Sequence, residues 1–177
     1  MKRFILGFSL LELIIVISIA LLFSGLLLAQ YGNFIEQSRL KSEANRLKNI
    51  LELAKKKTIA RDITGSCVSG FNGYEINAVS SSRYDLVSCC GTCDETNPLN
   101  QFNLSAQTTT ISIISTTPTT IQFIPTPAGI LFDNDPTITS KTIRLKNSAI
   151  PSSNTCLDIT VSKPGIIDVS DSFNNCS

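Results

Sequence analysis

The 177-residue chain contains no histidine and no tryptophan. Without histidine it lacks the side chain most often used as a general base and most often found as a metal ligand. Reading along the chain gives no catalytic triad, no phosphate-cradling glycine loop, no paired acid site and no internal repeat. The expectation is therefore a protein that is not an enzyme, with no catalytic residue, no metal and no cofactor assigned. Basic residues are also scarce in the second part of the chain. Residues 1–61 carry ten Lys/Arg against four Asp/Glu, a surplus of six, whereas residues 62–177 carry five against ten, a deficit of five. The formal net charge of +1 hides two electrostatic pieces.

What is present begins with the first thirty residues, MKRFILGFSLLELIIVISIALLFSGLLLAQ. From Leu13 to Ala29 there is no charge, and the only polar side chains are Ser18 and Ser24. That run sits at the short end of the roughly 17 to 25 residues that cross a bilayer. A secretory signal peptide would use Lys2 and Arg3 as its basic n-region. Against that reading, Glu12 interrupts the start of the run, and LAQYGNF offers no clean small-x-small cleavage site.

Helical character then continues through residues 30–61. Leu40, Ala44, Leu47, Leu51, Ala54 and Thr58 recur at spacings of 4, 3, 4, 3 and 4, the one-face repeat of an amphipathic helix. Lys48, Lys55 and Lys56 fall largely off that stripe. Gly25 and Gly32, each costing about 1 kcal/mol against Ala in a helix interior, are expected bend points. The reading is one helix of about 50 residues, its first half compatible with lipid and its second half packing on the chain's own domain.

After RDITGSC the composition turns to Ser, Thr, Asn and Gly, with short alternating segments. GYEINAV, RYDLVSC, TISIIS, TIQFI, GILFD, TIRLKN, CLDITV and GIIDV read as strands. Turn chemistry at Asn72-Gly73, Pro127 to Gly129, Asn134 to Pro136 and Pro164-Gly165 separates them. The fold class expected is α+β, a long N-terminal helix with a transmembrane first half packed on an antiparallel C-terminal β-domain of one or two small sheets.

The stretch KRFILGFSLLELIIVISI resembles the leader and mature start of a type IV prepilin. It has a short basic leader ending in Gly7, then Phe8, then the acid Glu12 five residues into the mature chain, then an apolar helix. Ser9 stands where Thr is common and keeps the hydroxyl. EANRLKNILELAKKKTIARD, TTIQFIPTPAGILF and CLDITVSKPGIIDV are similar to segments of the GspH/FimT group of minor pilins and pseudopilins. The resemblance implies a leader at 1–7, a transmembrane and assembly helix half at 8–29, an amphipathic half at 30–61 and a pilin-like β-domain at 62–177. It implies cleavage by a prepilin peptidase between Gly7 and Phe8, and methylation of the new Phe8 amine. Other pilins or pseudopilins would be partners, in a type IV pilus or a type II secretion pseudopilus. The expected location is the inner membrane, single-pass, with the β-domain extracytoplasmic by the positive-inside tendency of Lys2 and Arg3, and then the assembled filament. Glu12 would pair with the Phe8 amine of a neighbouring subunit and set the axial register.

Some FimT-like members end in a basic segment linked to DNA capture. Here the ending is KPGIIDVSDSFNNCS, apolar and then acidic. A phosphate-binding surface needs clustered Lys or Arg, and only TIRLK, with Arg144 and Lys146, offers a local cluster. DNA is not an expected partner, and a DNA-binding minor pilin stands as the alternative. The run Lys55, Lys56, Lys57 reads as a solvated helix face.

Six cysteines, Cys67, Cys89, Cys90, Cys93, Cys156 and Cys176, all fall in the β-region. An even count in an exported domain reads as disulfides. Cys156 with Cys176 would tie down the C-terminal tail, and Cys67 would reach one of Cys89, Cys90 or Cys93. The spacing Cys90-Gly-Thr-Cys93 also matches a C-x-x-C redox or zinc half-site, so a membrane-anchored redox or metal domain is a further alternative. DNDPT, Asp133 to Thr137, lacks the ligand number of a calcium loop and reads as a turn.

Overall fold

The structure, a computed structural model, describes residues 10–63, 70–93, 99–104, 111–114, 119–125, 129–150 and 155–176, with the side chains of 26–30 and 111 outside the description. Helix α1 runs Leu10–Ala60. It ends where Arg61 turns left-handed (φ 49°), with Asp62 N–H donating to the Lys57 oxygen at 3.0 Å and Arg61 N–H to that of Thr58 at 3.2 Å. These bonds close the last carbonyls in the manner of a Schellman cap, here without glycine.

Ten strands follow among the described residues: β1 Phe71–Ser80, β2 Arg83–Cys90, β3 Thr92–Cys93, β4 Asn100–Asn103, β5 Ile111–Ile113, β6 Thr119–Ile124, β7 Gly129–Phe132, β8 Ser140–Asn147, β9 Cys156–Ser162 and β10 Ile167–Val169. They form two antiparallel sheets. The first has the order β3-β2-β1-β6-β7, with β4 also paired to β2, and the second the order β10-β9-β8-β5. Helix α1 packs across both, against β1, β6, β8, β9 and β10.

Register explains the core. Leu86, Ile76, Ile121 and Phe132 stand opposite one another across four strands of the first sheet, and Leu145 faces Leu157, Ile143 faces Ile159, in the second. All are buried, and they meet the helix stripe Leu40, Ala44, Leu47, Leu51 and Ala54 in one cluster. Thr58, last on the stripe, is buried with its hydroxyl donating to the Ala54 oxygen at 2.9 Å.

Two expectations are corrected. Helix and antiparallel strand are both present, but no helix among the described residues is long and apolar enough to cross a membrane, so the transmembrane first half is overturned. The run Leu13 to Ala29, in which only Ser18 and Ser24 are polar, rises about 26 Å at 1.5 Å per residue, against about 30 Å of hydrocarbon. Beyond it Gln30 and Asn33 are polar, and from Glu36 on the helix is charged and one-sided. Second, Asn72-Gly73 is no turn. It lies inside β1 at an irregularity in the β1–β2 register, where Gly73 takes φ 112° and the extra residue is absorbed as a bulge. The turn at Pro127 lies outside the described residues.

Candidate functional site

The first part of α1 leaves the β-domain altogether. Leu10, Leu13, Ile14, Ile17, Leu21 and Phe23 are all exposed, Leu10 at 78 %, and Tyr31 and Phe34 remain so. Successive residues point about 100° apart, so exposure of every described position from 10 to 25 means that no face of this stretch is covered within the chain. From Leu10 to Phe34 it reaches about 36 Å. Its two hydroxyls are turned onto their own helix: Ser18 Oγ donates to the Ile14 oxygen and Ser24 Oγ to that of Ala20, both at 2.8 Å. Apart from Glu12, the outward surface of the described positions 10–25 is thereby apolar. An exposed surface of this kind exceeds what a monomer in water ordinarily tolerates, and a helix apolar all round is normally buried.

Glu12 sits in the first turn of α1, on the exposed surface, where a carboxylate is favoured by the helix dipole. Gly7 and Phe8, the expected processing residues, lie outside the described residues.

The grip on the domain begins at Glu36. Fully buried Asn147 donates to both its backbone and its side chain, and Arg39 pairs with it at 2.5 Å. At the other end Lys55 Nζ donates to the Gly165 oxygen at 2.6 Å, and Lys57 pairs with Asp62 at 2.8 Å while lying over the Tyr74 ring. The lysine run is therefore not a uniformly solvated face. Lys55 and Lys57 fasten the helix end, and only Lys56 is exposed.

In TIRLK, Arg144 is engaged. Arg144 holds Asp158 with two bonds, at 2.7 and 3.0 Å, and this keeps the Asp158 carboxyl below the usual carboxylate range against the opposing effect of its partial burial. Lys141 pairs with Asp133. In DNDPT, Asp135 accepts from the Thr137 N–H and hydroxyl, and Asp133 and Asn134 both take positive φ, so the segment is a tight turn.

Cys156 bonds Cys176, twenty residues on, tying the tail to β9. Cys89 bonds Cys93, and Cys90 is itself disulfide-bonded. Cys67 lies outside the described residues. The C-x-x-C reading of Cys90 and Cys93 is corrected by register: Cys89 and Cys93 are directly opposite on β2 and β3, with Gly91 at φ 81° turning the chain between them. Neighbouring Cys90 points to the other face. The sequence reading missed Glu75, whose carboxylate and the sulfurs of Cys89 and Cys93 lie within 4.8 Å of one another. Only the strand register reveals that set.

Compared with protein families, curated proteins and solved structures, the chain matches none.

Proposed function

We propose that the chain is a minor pilin or pseudopilin, a non-catalytic structural subunit cleaved between Gly7 and Phe8 by a prepilin peptidase, methylated at Phe8, and built into a filament of the type IV pilus or type II secretion kind. The observation that carries the reading is the apolar front of α1, uncovered at every described position from Leu10 to Gly25 and again at Tyr31 and Phe34. A surface of that shape is satisfied by parallel copies of the same kind of helix. The proposal needs no membrane crossing, since helices packed together in a filament core exclude water equally well.

Two further observations support it. Disulfides at Cys89–Cys93 and Cys156–Cys176 suit a β-domain carried outside a reducing compartment. The clamps at Glu36 and Lys55 hold the domain to the back half of α1 and leave the front half clear for neighbouring subunits. The DNA-binding alternative draws less support, because Arg144 is already committed to Asp158.

Glu12 supplies the acid that pairs with a neighbour's Phe8 amine and fixes the stagger. Replacing it by alanine in the native host is expected to lower recovery of the chain in sheared filament fractions by about tenfold or more, the equivalent of about 1.4 kcal/mol. Unchanged recovery contradicts the assignment.

A further inference from the structure

Strands β1 and β2 bury both of their faces. Tyr74, Ile76 and Leu86 belong to the core shared with α1, whereas Glu75 and Cys89, offset by one residue, occupy the opposite face at 2 % and 0 % exposure. On that face the Glu75 carboxylate and the sulfurs of Cys89 and Cys93 share a sphere of 4.8 Å. Glu75 and Cys93 also line a cleft of about 390 Å³, together with Asn72, Thr92 and Gln122. The cleft gives water, an ion or a small reductant a route to the set.

The disulfide here spans a sequence separation of only 4, against 20 for Cys156–Cys176. Opening it releases less chain entropy. It also joins β2 to a strand of two residues at the edge of the sheet, so the core under α1 does not depend on it.

We propose that Glu75, Cys89 and Cys93 form a redox-gated site for a thiophilic divalent cation of the zinc class. In the disulfide form the two sulfurs are bonded to each other and hold no ion. A dithiol reductant attacks one sulfur, passes through a mixed disulfide and leaves as its own cyclic disulfide. Its two electrons break the sulfur–sulfur bond, and its two thiol protons end on Cys89 and Cys93. The ion then displaces those protons to solvent and is held by two thiolates and the Glu75 carboxylate, with water from the cleft as fourth ligand. Zinc takes sulfur at about 2.3 Å and carboxylate oxygen at about 2.0 to 2.2 Å in tetrahedral sites, which places ligand atoms about 3.5 to 3.8 Å apart. The sulfurs part from bonding contact to that separation, and the carboxylate closes from within 4.8 Å. The site is independent of whether the chain enters a filament.

The test titrates with cadmium the full chain carrying Cys67→Ala, Cys90→Ala, Cys156→Ala and Cys176→Ala, so that Cys89 and Cys93 are its only cysteines, read by thiolate-to-cadmium charge-transfer absorption, before and after reduction by a phosphine. The expected result is one cadmium per reduced chain and none per oxidised chain. Glu75→Gln, which keeps both thiols and the shape of the side chain, is expected to weaken binding by about tenfold or more, and Cys93→Ser to abolish it. A thiol count confirms that Glu75→Gln retains its reduced cysteines, which separates ligand loss from misfolding. Reduction without cadmium uptake, binding by the oxidised chain, or affinity unchanged by Glu75→Gln or Cys93→Ser each overturns the site.

Discussion

Asn147 donates from Nδ2 to the backbone oxygen of Glu36 at 3.1 Å and to its carboxylate at 3.0 Å, joining positions 111 residues apart. Its Oδ1 accepts the Ala149 N–H at 3.0 Å, so the amide orientation is fixed from both ends. This is where the second sheet takes hold of α1. Toward the N-terminus, Tyr31 and Phe34 are exposed, and toward the C-terminus Leu40 is buried.

Asn147→Ala removes a donor and leaves the Glu36 oxygens short of a partner. A loss of about 1 to 3 kcal/mol is expected, measured by urea denaturation of the reconstituted chain. Helical content by circular dichroism is expected to stay near the parent value, because the front half of α1 takes no support from the β-domain.

Among the described glycines, Gly73 is the one at which a β-carbon would meet backbone closer than any real contact. At φ 112° it lies in a region that favours glycine, and a β-carbon built there would stand 1.8 Å from the Phe123 backbone oxygen. Since Tyr74 pairs with Phe123 in the β1–β6 ladder, Gly73→Ala must push these central strands apart. Thermal melting is expected to show a loss of about 4 kcal/mol or more, in the range reserved for backbone clashes and buried disruption.

Tyr84 is buried, and its hydroxyl has no hydrogen-bond partner among the described residues. Burial pushes its pKa up to about 12, with Arg46 opposing and Glu43 adding to the shift. Ionisation in the unfolded chain begins near the ordinary tyrosine value of about 10, so this contribution to stability is full below about pH 10 and is lost as pH rises from there to about 12. Tyr84→Phe is expected to flatten the alkaline fall in stability over that window, and at neutral pH to leave stability equal or higher, since an unpartnered buried hydroxyl is removed. Denaturation midpoints at pH 7 and pH 11 read both effects.

The sequence carried the helix stripe because burial on one side of a helix writes itself as spacings of 3 and 4, and Leu40 through Thr58 obey that rule over five intervals. Ile143 with Leu145, and Leu157 with Ile159 and Val161, were legible for the matching reason at period 2. Where both faces of a strand are buried the alternation vanishes. Glu75, an acid within the strand GYEINAV, is 2 % exposed, and nothing in the local pattern marks its face as buried. Cysteine pairing was illegible locally, since Cys90 and Cys93 have the familiar spacing while register puts Cys89 opposite Cys93. Asn72-Gly73 has the composition of a turn, and only the pairing partners of β1 show it to be a bulge. The front of α1 was legible as apolar, but no helix among the described residues is long and apolar enough to cross a membrane.

The most direct measurement is the N-terminal sequence and intact mass of the full chain recovered from cells with and without a prepilin peptidase. The expected chain begins at methylated Phe8 when the peptidase is present and at Met1 when it is absent. A chain that begins at Met1 in both, or that is cut beyond Ala29 irrespective of the peptidase, contradicts it.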